Sequence, residues 1–109
     1  MYKFKSRATG DLIMLEANGR QVLRIIGKDL ADSAAKGILL PQDMPDAIAA
    51  LQAAVAQDEA AREQLVREAL EKGDVPPKPE GITLRQRVVP LVEMLQRCIK
   101  ADKEMVWGV

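Results

Sequence analysis

One stretch, Ile82 to Ile99, constrains this chain more than any other. It reads Ile-Thr-Leu-Arg-Gln-Arg-Val-Val-Pro-Leu-Val-Glu-Met-Leu-Gln-Arg-Cys-Ile. Leu84, Val88, Leu91, Leu95 and Cys98 recur at alternating steps of four and three. Val92 and Ile99 widen that line to the ~100° apolar face of a helix that lies on a core. Thr83, followed three residues later by Gln86, is a capping box. The hydroxyl accepts from the Gln86 amide, and the Gln86 side chain returns to the Thr83 amide. A helix is therefore expected over about 84–101. Pro90 falls inside it, where it removes one helical hydrogen bond and crowds the preceding turn, so a kink is expected near Gln86–Val89. A helix with one apolar face needs a core, and the rest of the chain must supply it.

That core has to be aliphatic. Tyr2, Phe4 and Trp107 are the only aromatic residues among 109, and an Ala-, Leu- and Val-rich interior favours close helix packing. The length fits one domain, residues 1–109. Cys98 is the single cysteine, so no intrachain disulfide can form, which suits a reducing compartment. Tyr2-Lys3-Phe4-Lys5-Ser6 does not read as a signal peptide, and no apolar run approaches the roughly 18 residues a membrane helix needs. A soluble, cytoplasmic protein is expected.

Along the chain, residues 2–6 alternate apolar and polar as a half-buried strand does. Ala8-Thr9-Gly10-Asp11 reads as a turn. Asp11–Leu15 could be a strand pairing back on the first or could open a helix; the strand is preferred, with a helix following over about 16–26. Gly10 and Asn18-Gly19 oppose one long helix, because an interior glycine costs about 1 kcal/mol relative to alanine. Val22, Leu23 and Ile26 form that helix's buried face, and Gly27 is a natural stop. Lys28–Lys36 is a polar connection, and Gly37–Pro41 a short extended segment. Asp43 starts the next helix, with Pro45 in its first turn. Met44, Ile48, Leu51 and Val55 form its stripe. Asp58, Glu59 and Arg62 interrupt that stripe, and Leu65, Val66, Ala69 and Leu70 resume it in phase. One helix with an exposed waist and two helices both fit 44–72. Gly73 ends this region, and Val75–Gly81 is a proline-rich spacer. Trp107, so near the end, implies a final strand or tucked segment pairing with the N-terminal strand.

These segments resemble one small family. The Phe-Lys-Ser strand and Asp-Leu-Ile-Met-Leu stretch carry the likeness, with the Leu-Leu-Pro-Gln-Asp-Met-Pro helix entry, the Leu-Arg-Gln-Arg-Val-Val-Pro-Leu-Val-Glu-Met-Leu helix and the terminal Trp-Gly. They are similar to the domain-of-unknown-function family 1840, found among proteobacteria. The likeness is strongest at 3–15, 38–56 and 83–108. It implies a bacterial protein and brings no catalytic or binding residues.

The residues give little support to common catalysis. Histidine is absent, which removes the usual general base near neutral pH and any Ser-His or Cys-His pair. Cys98 sits on the apolar stripe, where a thiol behaves as a small hydrophobe. Asp43 and Asp46 could share a divalent cation, but acidic residues in a first helical turn are what the helix dipole favours anyway. No metal or cofactor is expected, and Gly10, Gly19 and Gly27 are too far apart for a phosphate loop.

Charge is balanced overall, with 16 basic and 16 acidic residues, but unevenly placed. Residues 1–28 carry a net +4, 29–83 a net −6 and 84–109 a net +2. The ends either balance the middle or form a basic face for an anionic partner. Arg85 and Arg87 stand in the first turn of the 84–101 helix, where cations oppose the dipole by about 0.3–1 kcal/mol each. They either mark an anion site or lay their stems across the apolar face and pair with acidic residues of the middle. Lys3, Lys5 and Arg7 form a second basic row, which on an edge strand also blocks aggregation. With few aromatics and a pI near 6.3, nucleic-acid binding is not expected. Met14, Met44, Met94 and Met105 could serve an adaptable surface or fill the core.

The expected fold is α+β, a two- or three-stranded sheet from the termini and residues 11–15 packed on three or four helices. The expected role is a non-enzymatic interaction module that meets a protein partner or a second copy. Its expected surface lies around Arg85, Arg87, Lys5 and Arg7. The alternative is an anion or nucleotide-ligand binder using the start of the 84–101 helix.

Overall fold

In the computed structural model the described residues are 1–29, 36–75 and 83–108. Strand β1 (Tyr2–Ser6) turns back into β2 (Thr9–Met14), and α1 (Glu16–Ile25) follows. Strand β3 (Gly37–Leu39) leads through a 3-10 turn (Pro41–Asp43) into the long helix α2 (Met44–Glu71). Helix α3 (Leu84–Ala101) and strand β4 (Met105–Trp107) close the chain. The four strands form one antiparallel sheet in the order β2-β1-β4-β3. The α+β expectation holds, with one strand more than expected: the extended 37–39 segment pairs with β4.

The alternation at residues 2–6 does what its period requires. Tyr2 and Phe4 are buried while Lys3 faces out. Residues 9–14 are strand, and the turn is tighter than expected. Ser6 lies opposite Thr9, so Arg7-Ala8 alone makes the reversal and Thr9-Gly10 belong to β2. The Ala8 amide donates to the Ser6 hydroxyl at 3.2 Å, a serine-turn contact that a longer loop would not need. The terminal segment pairs with β1 as expected, placing Phe4 opposite Trp107. Their rings lie 6.1 Å apart at 58°, and Tyr2 stacks beyond Phe4 at 6.2 Å. The three aromatics, from opposite ends of the chain, thus form one cluster on the sheet's inner face.

Helix α1 ends in a Schellman motif at Gly27, whose φ of +78° suits a residue without Cβ. Lys28 N–H reaches Leu23 O at 2.7 Å, and Gly27 N–H reaches Arg24 O at 3.1 Å. Helix α2 is continuous, which decides between the one-helix and two-helix readings. Its first residues follow Asp43 as expected, with Pro45 in the first turn, but Asp43 ends the 3-10 turn with αR backbone in place of the extended backbone of an N-cap, and its side chain makes no capping bond. Helix α3 carries the expected capping box and runs unbroken through Pro90. Leu84, Val88, Leu91, Val92, Leu95 and Cys98 are buried; Met94 joins them, while Ile99 is 38% exposed. The sequences of 30–35 and 76–82, which include most of the expected polar connection and proline-rich spacer, lie outside the described residues.

Candidate functional site

The four basic residues singled out in the sequence fall into two groups. Arg85 and Arg87 stand at the start of α3, where Thr83 N–H donates to Gln86 Oε1 at 2.9 Å and closes the cap. Arg85 projects to α2. Its Nε and Nη2 donate to the two carboxylate oxygens of Glu59, the second at 3.0 Å. This fork-to-fork pairing suits a planar guanidinium. The hydrogen bond from Arg85 holds the Glu59 carboxyl below the usual carboxylate range, and Glu59 raises the Arg85 guanidinium in turn. Arg87 turns to the other side, where its Nη1 donates to Gln21 Oε1 of α1 at 2.7 Å. Two neighbouring arginines therefore bind α3 to two different helices.

Lys5 and Arg7 lie elsewhere. Arg7 is in the β1–β2 turn, 3.3 Å from Glu104. Glu104 is held below the usual carboxylate range by its own backbone amide first and by Arg7 second. Arg97 Nη1 donates to Thr9 Oγ1 at 3.3 Å, so the turn region sits at the C-terminal end of α3. Residues 85 and 97 are separated by about 18 Å along a helix rising 1.5 Å per residue. The structure does not bring Arg85 and Arg87 together with Lys5 and Arg7. The methionine alternatives are also resolved: Met14, Met44, Met94 and Met105 are all buried and fill the core, so they offer no adaptable surface. Cys98 is a free thiol with no exposed surface.

Helix α2 differs in its second half from the exposed waist that the spacing suggests. Its buried residues are Met44, Ala47, Leu51 and Val55, all in the first half. From Ala56 to Glu71, roughly 24 Å of helix, no residue is buried. Leu65 and Leu70 are 53% and 61% exposed. This projection gives the molecule its elongated outline, 52 × 25 × 23 Å. The interruption at Asp58 and Arg62 was its signal: the pair closes an i,i+4 salt bridge at 3.0 Å along the stripe where the core ends. At the base of the projection, α2 and α3 enclose a groove of about 250 Å³ lined by Val55, Ala56, Val88, Val89 and Val92. The Glu59–Arg85 pair forms part of its wall.

Among the described residues, no helix is long and apolar enough to cross a membrane. No curated protein and no solved structure matches the chain. The model of the domain of unknown function DUF1840 matches residues 1–107, and the chain belongs to that family.

Proposed function

We propose that this family member is a non-enzymatic, cytoplasmic interaction module, and that the free half of α2 is the element that meets its partner. One observation carries the reading. A continuous helix leaves the core at Val55 and holds Leu65 and Leu70 in solvent for its remaining length. Fully burying a leucine is worth about 1.5–3 kcal/mol, so an apolar stripe of this kind is a favourable docking face. The ion pair at the start of α3 favours this reading over the anion-ligand one. An anion there would have to compete with Glu59 for Arg85.

The test is capture from a lysate of the native host, with wild type beside Leu65→Lys/Leu70→Lys. A partner, or further copies of the chain itself, held by the wild type and lost from the double variant supports the proposal. Recovery of the same material by both, or of nothing by either, refutes it.

A further inference from the structure

The free half of α2 keeps its apolar residues on the side of the helix that the buried half uses. Met44, Leu51, Val55, Leu65 and Ala69 are related by alternating steps of three and four, so at 100° per residue they share one stripe, with Val66 and Leu70 beside it. The part of the stripe beyond Val55, with Leu65 exposed and Ala69 half-buried, therefore faces the layer in which the core and sheet lie. Its surroundings are acidic. Between Ala56 and Val75 stand Asp58, Glu59, Glu63, Glu68, Glu71 and Asp74 against Arg62, Arg67 and Lys72. Asp58 is paired with Arg62, and Glu59 with Arg85. Glu63 and Glu68 flank the stripe on opposite sides, and among the described residues neither forms an ion pair.

The outer face of the sheet has the opposite character. Lys3 lies opposite Ile13, and Ile38, Val106 and Lys5 form one row across three strands. Ile13 and Ile38 are 52% and 46% exposed. Asp11 is on this face toward the β2 edge, and Glu104, paired with Arg7, lies beside Lys5 and Val106. The result is an apolar surface with two lysines, matching in chemistry an apolar stripe edged by glutamates.

Resting on the interaction-module reading, we propose that the free half of α2 docks on the outer sheet face of a second copy, and that the exchange is reciprocal. A helix segment about 24 Å long and about 10 Å wide covers roughly 240 Å² on each side. One such contact removes roughly 500 Å² from solvent, well below the ~1,200 Å² at which specific interfaces begin. Two reciprocal contacts reach roughly 1,000 Å², close to that threshold, and charge complementarity adds register. The direction of the stripe allows this. A copy turned over by a two-fold rotation offers its sheet's outer face to the first copy's helix and its own helix to the first copy's sheet, closing a symmetric dimer.

Charge reversal on each surface tests the exchange by sedimentation of the full chain up to about 1 mM. The helix variant is Glu63→Lys/Glu68→Lys and the sheet variant Lys3→Glu/Lys5→Glu. Wild type is expected to dimerise with rising concentration and to do so less as salt increases. Each variant alone places like charges across both contacts and should self-associate about tenfold more weakly. Mixed in equal amounts, the two should form a heterodimer, because both of its contacts again join opposite charges. Wild type that stays monomeric throughout, or a dimer indifferent to both reversals, overturns the docking. A monomeric wild type that still captures a host protein through Leu65 and Leu70 would overturn the self-docking and leave the module reading standing.

Discussion

Gly19 separates two effects of opposite sign in one substitution. It sits inside α1, where alanine would favour the helix by about 1 kcal/mol. It is also buried, and its missing side chain is what lets α1 lie against the first strand. A Cβ built there would stand 2.6 Å from the Tyr2 Cβ and closer still to the Tyr2 ring. Ordinary contact would need about 1 Å more. Tyr2 cannot yield cheaply, because its ring stacks on Phe4, which packs on Trp107. Overpacking of a filled core costs about 1–3 kcal/mol and occasionally more. The clash should therefore outweigh the propensity gain, leaving Gly19→Ala destabilised by about 1–2 kcal/mol. Gly10→Ala is the control, since nothing lies within 4 Å of a Cβ there, and it should stay within about 0.5 kcal/mol of wild type. Urea unfolding followed by far-UV circular dichroism measures both. A midpoint for Gly19→Ala at or above that of wild type would show that Tyr2 moves freely and that the packing argument is wrong.

Trp107→Ala should cost about 3–5 kcal/mol in the same assay, because the indole has no exposed surface and joins the two ends of the chain. Leu65→Lys/Leu70→Lys should change stability by no more than about 0.5 kcal/mol, whereas Leu51→Ala, on the same helix but fully buried, should cost about 2–5 kcal/mol; equal losses in urea would mean that the free half is part of the core. The Glu59 carboxyl, depressed in the folded chain by Arg85, should titrate below the ordinary glutamate range in a carbon-detected NMR titration and return to that range in Arg85→Gln. Because its folded value is lowered, its contribution is present above the unfolded value and is lost as pH falls through the folded one. Wild type and Arg85→Gln should therefore converge in stability in acid, and a difference that grew as pH fell would contradict that sign.

Much of the fold was legible because it depends on short-range rules. The four-three spacing and the Thr83–Gln86 box fixed α3, the two-residue period fixed β1, and Gly27 fixed the end of α1. The features that spacing does not express depend on contacts distant in sequence. That the reversal takes Arg7-Ala8 alone, with Thr9–Asp11 already in β2, was decided by register with β1, which sets Ser6 opposite Thr9 and which spacing within the loop does not express. The pairing of Gly37–Leu39 followed from β4 being present to receive it. Arg85 and Arg87 looked alike in sequence, yet the 200° between them on the helix sends one to Glu59 and the other to Gln21. The resumption of the α2 stripe at Leu65 was visible. That no described part of the core covers it was not, since amphipathicity says which face is apolar and nothing about what meets it.

The second half of α2 also shows how a helix persists without burial. Isolated helices of its length are marginal in water because starting one is costly. Here the buried turns from Met44 to Val55 provide the start, and extension needs only residues that favour it. The segment Ala56–Glu71 is composed of Ala, Gln, Glu, Asp, Arg, Leu and Val, without glycine, proline or an aromatic residue. Arg62 Nε donates to Asp58 and Gln64 Nε2 to Glu68, each one turn apart, at 3.0 and 3.2 Å, and such pairs add about 0.2–0.5 kcal/mol apiece. Gly73, with φ of +75°, lets Asp74 N–H close back on Ala69 O at 2.8 Å and satisfies the final turn. Local preference and a firm base hold the projection in shape, so Leu65 and Leu70 are not needed to keep it helical. Their apolar surface remains available to a partner, and a helix already formed gives up less conformational entropy on docking than one that must fold as it binds.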